Sequence, residues 1–489
     1  MSTHDRAPLT PELSTPGALC FCLQVRFFSS SPHCPGGSAS PALPTELVFA
    51  LDFSGDVSSS SFELQRSALL YLLEGVAVAR GNCPAGARVS VVGFHERTTR
   101  LIRFHEHSQH QQLVAAVKDI PWKRTAFRRH LGAAMRFVGQ SVFKRVRAGL
   151  RVRKVAVFFS GGQTQDVHEV AGAVMELRAL NIVPVVVSLM DAPRIARALE
   201  LDDSGNAVFT VLERQQDLAS ALGKVRSCAI SFDPCRRSED CAFVQDPPPP
   251  QQVDVDLAVV LDGSREVQAD EFSGAQQLLG SVLEQLAVSA EPGRSGSQAR
   301  VAVVQQGSAQ APKLEFGLRT FQDRDLMKRH LFQNMQQQGG PSLLGRTLDY
   351  TLREVLPTAE RTRRKRVLLT VLATRTAYED RGALSSASRR AHCDGVALFV
   401  LTVGGRYNQT QVEELASSPV QQHLIHVDRL GAEGRGYAQR FFRVFLSALS
   451  KGLNSYPPPS LSRTCRRLED AEILGGFNVW ARKDSGLDL

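Results

Sequence analysis

The chain has 489 residues, of which 43% are hydrophobic and 22% are charged, a composition that suits two or three globular domains. The net charge of +9 favours anionic partners but does not choose among glycosaminoglycans, acidic proteins and nucleic acid. No apolar run reaches the roughly 18 residues that a membrane-spanning helix requires, so membrane insertion is not expected.

The first 44 residues are rich in Ser, Pro and Gly and show no hydrophobic periodicity. Such a composition cannot bury enough apolar surface to fold, so we predict that residues 1–44 are disordered. The same segment contains no pattern typical of a secretory signal peptide.

Buried strands alternate with amphipathic helices from residue 46 onward. Residues 47–52 form an apolar run that ends in Asp52, and helical spacing of apolar side chains follows over 60–79. This alternation favours an α/β fold with a doubly wound, mostly parallel sheet that is covered on both faces. Further strands are predicted at 88–93, 98–104, 155–159 and 183–189, and further helices at 109–118, 128–146 and 166–180.

The same pattern occurs twice. Asp262 ends a second apolar strand 210 residues after Asp52, and the later strands recur at offsets of 212 to 213 residues. Offsets this constant indicate a duplicated domain. The predicted organisation is a first domain at 45–228, a linker at 229–253, a second domain at 254–452 and a tail at 453–489.

The linker is rich in cysteine and proline. Cys228, Cys235 and Cys241 cluster there, ahead of a four-proline run at 247–250 that stiffens the chain. A cluster of this kind suits disulfide bonds in an oxidising compartment, and scattered reduced thiols are the alternative.

The loop after the first strand carries the most informative motif in each copy. It reads Asp52-Phe53-Ser54-Gly55-Asp56 in copy one and Asp262-Gly263-Ser264-Arg265-Glu266 in copy two. Ligands of open α/β sheets bind beyond the carboxyl ends of the strands. Both loops resemble the Asp-x-Ser-x-Ser loop of von Willebrand factor A-type (vWA) domains, and the turn at 160–166 after the fourth strand is also similar to that family. The resemblance covers residues 46–228 and 254–452.

The resemblance implies a Mg²⁺ site, but both copies depart from its ligand set. Asp56 and Glu266 replace the second Ser of the loop, which leaves Asp52, Ser54, Asp262 and Ser264 as the matching ligands. A hard cation needs more oxygen ligands than these, so no cofactor is expected and Mg²⁺ or Ca²⁺ binding is the alternative. The positions of the family's Thr and distal Asp are expected at Leu131 and Ser160 in copy one, and at Leu344 and Ala373 in copy two.

Paired, degenerate vWA copies with this linker resemble the C-terminal globular region of type VI collagen alpha chains. The resemblance implies a secreted, non-enzymatic matrix protein for structure and adhesion. Its implied partners are matrix proteins, other collagen chains, glycosaminoglycans and cell-surface receptors, with no nucleic acid. An intracellular vWA scaffold and a non-functional fragment of a collagen VI-like gene are the alternatives. The chain has no Gly-x-y repeat with which to form a collagen triple helix.

Three further features of the sequence bear on its function. No motif for catalysis is present, so no catalytic residue is assigned. Asn408 begins an Asn-Gln-Thr sequon for N-glycosylation. A basic run before the fourth strand of copy two is a candidate anion-binding patch, with a processing signal and a solvated helix end as alternatives. Its residues are Arg361, Arg363, Arg364, Lys365 and Arg366.

Overall fold

The computed structural model describes most of the chain between residues 44 and 465. The described residues are 44–79, 86–143, 152–231, 239, 241, 248–293, 296–308, 311–359, 362–454, 456–458, 461 and 465. The disorder predicted for 1–44 therefore falls almost wholly outside the described residues, as do Cys235 and Arg361.

Within its described residues, copy one has six strands and six α-helices. The strands are β1 Thr45–Asp52, β2 Ala87–Phe94, β3 Thr98–Ile102, β4 Arg153–Ser160, β5 Ile182–Ser188 and β6 Val208–Val211. The helices are α1 Ser59–Leu73, α2 His110–Lys118, α3 Leu131–Phe137, α4 Val167–Ala179, α5 Pro193–Leu199 and α6 Leu218–Lys224.

Copy two repeats this order with one additional helix. Its strands are β7 Val255–Asp262, β8 Arg300–Gln306, β9 Lys313–Phe316, β10 Lys365–Leu372, β11 Val396–Val403 and β12 Leu424–Val427. Its helices are α7 Ala269–Glu284, α8 Arg324–Arg329, α9 Leu344–Tyr350, α10 Arg381–Cys393, α11 Gln409–Leu415, α12 Val420–His423 and α13 Ala432–Ser450.

Each copy has one six-stranded sheet. The strand order is β3-β2-β1-β4-β5-β6 in copy one, and β9-β8-β7-β10-β11-β12 in copy two. Every neighbouring pair is parallel except the edge hairpins β2–β3 and β8–β9. The predicted α/β, doubly wound fold is thus confirmed. The strand order reverses between β1 and β4, and between β7 and β10, so the end of the first strand opens onto the crevice where such sheets bind ligands.

The duplication extends to a buried ion pair between the first two strands. Glu46 lies opposite Arg88 in copy one, and Asp256 lies opposite Arg300 in copy two. Both acidic side chains are fully buried, and each forms a salt bridge with its arginine. An unpaired charge at these positions would be costly, so the pairs fix the register of the two strands.

Two predicted helices have a different start or end in the structure. The helix expected over 60–79 ends at Leu73, because Gly75 adopts a positive φ of 77° and Val78 then bridges to Ala87. The helix expected over 128–146 begins at Leu131 and continues as a π-helical turn to Val142. Its predicted start was wrong because Arg129 lies in the preceding loop, where its side chain contacts the end of β1.

The two copies share one hydrophobic core. One buried cluster includes Val174 and Leu177 from α4 of copy one together with Phe445 and Leu449 from α13 of copy two. Two further clusters cover the outer faces of the two sheets. Helix α13 packs on both α4 and α7, so it serves as a layer of each copy.

Arginines of α13 add polar contacts across the shared core. Arg440 Nε donates to the Ala179 carbonyl at 2.9 Å, and Arg443 forms a buried ion pair with Asp203. Burial raises the pKa of Asp203, but Arg178 and Arg443 outweigh burial and hold that pKa below its ordinary value. Asp203 is therefore paired with one arginine from each copy.

His423 gives the stability of copy two a pH dependence. This fully buried side chain packs on Phe445 and Tyr456, and burial lowers its pKa from 6.5 to about 4. Below pH 6.5 the His423 side chain binds a proton in the unfolded chain, whereas in the folded chain it stays neutral down to about pH 4. The free energy of unfolding therefore falls as the pH drops toward 4.

We expect wild type to lose about 2 kcal/mol more than a His423→Gln variant between pH 7 and pH 5. Urea unfolding at the two pH values measures the difference. Equal losses in the two proteins would show that His423 does not titrate in this way.

A disulfide that the sequence did not suggest connects the tail to copy two. Cys393 at the end of α10 is bonded to Cys465, 72 residues later. Closing a loop of this length restricts the unfolded chain.

We expect the double replacement Cys393→Ser, Cys465→Ser to lower the free energy of unfolding by about 2–4 kcal/mol. Urea unfolding of the variant and of wild type, with and without reductant, checks this. A wild-type midpoint that reductant leaves unchanged would contradict it.

Candidate functional site

Asp52, at the end of β1, is the centre of the copy-one site. Its carboxylate is fully buried and accepts four hydrogen bonds. Oδ1 receives the Ser54 amide at 2.9 Å and the Ser54 hydroxyl, while Oδ2 receives the Gly161 amide at 2.8 Å and Arg129 Nε. A carboxylate has about four lone-pair positions, so these donors use its whole capacity.

Arg129 supplies the positive charge of this site. Its guanidinium is 6% exposed and bonds three groups: Asp52 through Nε, the Gln163 carbonyl through Nη1 at 2.8 Å, and Asp56 through Nη2 at 2.7 Å. Burial lowers the pKa of Arg129, but Asp52 and Asp56 outweigh burial and raise that pKa above its ordinary value. The guanidinium is therefore charged at every pH at which the protein folds.

The copy-two site is built differently around Asp262. Oδ1 accepts the Ser264 amide at 3.1 Å, and Oδ2 accepts the Thr374 hydroxyl at 2.6 Å and, weakly, the Ala373 amide at 3.4 Å. All three hydroxyl and carboxyl side chains are buried. Arg265 and Glu266 are exposed, and among the described ion pairs neither is paired with Asp262.

The residues of copy one do not fit a divalent cation of the kind that the vWA resemblance implies. A cation on Asp52 would have to displace Arg129 or lie beside a buried positive charge, which is unfavourable. Copy two offers one carboxylate and hydroxyls, fewer charged ligands than a hard cation prefers. Across the described ranges, no group of three or more His, Cys, Asp or Glu side chains is arranged to hold a metal ion.

In each copy a second carboxylate accepts a hydrogen bond from the first turn of the helix that follows the neighbouring loop. Asp166 accepts the Ala133 amide of α3 at 2.9 Å, and Asp380 accepts the Arg346 amide of α9 at 3.0 Å. A threonine hydroxyl, Thr164 or Thr376, bonds each carboxylate in turn. A negative charge at a helix N-terminus stabilises that helix, so the loops around both sites are held by the chain's own groups.

The candidate anion-binding residues are only partly available. Arg363 is buried, and its guanidinium bonds Ser289 and the Gly296 carbonyl. Lys365 and Arg366 are half-buried and donate to the carbonyls of Tyr456 and Asp394. Arg364 is exposed. Arg363 is therefore already occupied by the chain's own groups, Arg361 lies outside the described residues, and anion binding here stays a prediction.

The other sequence candidates have clear positions. Cys228 is bonded to Cys241, which is one of the pairings that the linker cluster allowed. Asn408 is exposed and caps α11, where its Oδ1 accepts the Gln411 amide at 3.2 Å. The sequon thus lies on the surface, and its glycosylation stays a prediction. In the part of the chain that the structure describes, no helix is long and apolar enough to cross a bilayer.

Sequence reasoning missed the residues that complete both sites. Arg129 and Thr374 contact the first-strand carboxylates from 77 and 112 residues away. One signal was present for Arg129: it stands two residues before the helix start at Leu131, whereas copy two has Ser342 two residues before Leu344. The two copies therefore differ at this position before the helix, where copy one has a charged side chain and copy two has a small hydroxyl. This difference indicates that the two sites bind their carboxylates with different groups.

Comparison with known proteins agrees with the topology and the loop motif. The sequence profile of the von Willebrand factor type A domain matches residues 46–220 and 256–434, which is well over half of the chain. The chain belongs to the von Willebrand factor type A domain family. The two matched ranges contain the two sheets, with Asp52 and Asp262 at the ends of their first strands.

Curated relatives resemble this tandem vWA chain over most of its length. The collagen alpha-4(VI) chain of Mus musculus is 40% identical over 95% of this chain, and the collagen alpha-6(VI) chain of the same species is 36% identical over 91%. The chain spans about one fifth of the length of these two relatives. Matrilin-1 of Gallus gallus is 23% identical over 84% of this chain and 86% of its own length.

Proposed function

We propose that the chain is a structural and adhesion module of the extracellular matrix that is not an enzyme and that binds other proteins without a divalent cation. Its identity of 31–40% to collagen alpha(VI) chains over about nine tenths of its length carries this proposal. The bonded pairs Cys228–Cys241 and Cys393–Cys465 support secretion, since such bonds persist in oxidising compartments.

The proposed partners are matrix proteins, including other collagen chains. Glycosaminoglycans and cell-surface receptors are further candidates that the basic net charge favours. The shared core between α4 and α13 supports a binding module of fixed shape, because the two copies then present their surfaces at a constant angle. Such preorganisation favours binding by lowering its entropic cost.

Retention on native matrix tests this function. The chain, secreted from cultured cells behind an added leader and fluorescently labelled, is applied to decellularised fibroblast matrix in Mg²⁺ or in excess EDTA. We expect saturable retention, competed by unlabelled chain and equal in the two buffers. Absence of saturable retention would refute the adhesion role, and complete release by EDTA would refute cation independence.

The disulfides of the endogenous chain, extracted from tissue, separate the matrix function from an intracellular one. We expect mass analysis under non-reducing conditions to show the Cys228–Cys241 and Cys393–Cys465 peptides linked. Free thiols at all four positions would favour the intracellular scaffold.

A further inference from the structure

We propose that Arg129 is a built-in replacement for the divalent cation of copy one, so that the loops of this site stay assembled with no metal. This inference rests on the cation independence proposed above and supplies its structural cause. Its test uses no matrix partner, so the two can fail separately.

The position of the guanidinium is the first support. Arg129 connects three loops: the one after β1 through Asp52 and Asp56, the one after β4 through the Gln163 carbonyl, and its own loop before α3. A metal ion would be held by oxygens from the same three loops in a site at the end of the first strand. The guanidinium makes this connection with directed, charge-assisted hydrogen bonds to two carboxylates, which are among the strongest in proteins.

The close packing around Arg129 is the second support, independent of its hydrogen bonds. A Cβ atom added to Gly161 would lie 2.4 Å from Arg129 Nη2, so the guanidinium would have to shift away from the groups that it bonds. Gly161 also donates its amide to Asp52. The backbone after β4 is therefore shaped to fit a guanidinium beside the Asp52 carboxylate.

The charges are the third support. Asp52 has no solvent contact, and a partner of opposite charge stabilises a buried carboxylate. Arg129 is that partner and cannot lose its proton at physiological pH. A divalent cation would compete with a tethered group whose effective concentration at the site is high.

Copy two provides an internal comparison. Ser342 stands at the position that corresponds to Arg129, and the Thr374 hydroxyl bonds Asp262 in place of a guanidinium. The replacement is therefore confined to copy one, which has the basic residue before α3.

Chemical rescue of an Arg129→Ala variant tests the proposal. The variant removes the guanidinium and leaves Asp52 buried without its ion-pair partner. We expect its Tm to fall by about 6–10 °C, whereas Arg128→Ala, an exposed neighbour on the same loop, should change Tm by less than about 2 °C. Low millimolar guanidinium chloride should restore part of the lost Tm of Arg129→Ala, while urea at the same concentration should restore none.

Two measurements keep the proposal testable if Arg129→Ala does not fold. Gly161→Ala keeps Arg129 but places a methyl group where the guanidinium lies. This variant should therefore also lower Tm by more than Arg128→Ala does. Wild type itself should show the same Tm in Mg²⁺ and in EDTA. The proposal is overturned if Arg129→Ala or Gly161→Ala is as stable as Arg128→Ala, if guanidinium rescues no better than urea, or if Mg²⁺ raises the wild-type Tm and Asp52→Asn abolishes that rise.

Discussion

Replacing Arg300 with leucine is expected to lower the free energy of unfolding by about 3–5 kcal/mol. Arg300 is 2% exposed and contacts both oxygens of Asp256, at 2.6 and 2.8 Å. Asp256 is fully buried on β7, so loss of the arginine removes the ion-pair partner that contacts both of its oxygens and leaves the carboxylate with the Arg363 amide at 2.9 Å. Denaturant unfolding of the two proteins measures the difference.

An exposed arginine of the same copy provides the control. Arg353 is paired with Asp349 one helical turn away, and its side chain is 51% exposed. Arg353→Leu should therefore change the free energy of unfolding by less than about 1 kcal/mol. We also expect the double variant Asp256→Leu, Arg300→Leu to cost less than the sum of its single variants, because no charge is left behind. Equal effects of Arg300→Leu and Arg353→Leu would contradict the role assigned to the buried pair.

The second large effect is expected at the contact between the copies. Arg443→Glu would set a negative charge against Asp203, whose pKa Arg443 now helps to lower, and would remove the hydrogen bond to the Pro249 carbonyl at 3.0 Å. We expect a loss of about 3–5 kcal/mol. Because α13 belongs to both cores, we also expect wild type to unfold in one thermal transition and Arg443→Glu to unfold in two.

Differential scanning calorimetry and small-angle X-ray scattering measure the two parts of this prediction. The radius of gyration should increase as the copies separate. Arg353→Glu, which reverses a charge of the same type on an exposed helix, should leave one transition and an unchanged radius of gyration. One transition at the wild-type temperature in Arg443→Glu would show that the copies do not depend on this contact.

The fold was predictable because its signals are local and repeated. Each central strand is a continuous apolar run, whereas the apolar residues of the helices recur at helical spacing. The second copy repeats the first at a nearly constant offset. The ends of elements were less predictable. The helix after β1 stops at Leu73 because a glycine with positive φ follows it, and apolar periodicity contains no information on that backbone conformation.

The site was only half predictable, since its motif shows which family ligands are present and which are missing. It does not show what replaces the missing ones. Asp52 and Ser54 stand together in the sequence, but Arg129 reaches them from 77 residues away, and its basic neighbour Arg128 is exposed. The sequence does not show which of the two arginines is buried. Only the folded path of the chain places Arg129 beside Asp52 and leaves Arg128 in solvent. The shared core of the two copies was missed for the same reason, since it depends on how two folded domains meet.

Isothermal titration calorimetry of the full chain with MgCl₂ and with CaCl₂ tests the central claim, that the chain's own donors already satisfy the carboxylates at the ends of both first strands. We predict no saturable heat beyond dilution with either salt, for wild type and for an Asp52→Asn, Asp262→Asn variant alike. Saturable binding at micromolar concentration that disappears in the double variant would contradict the claim.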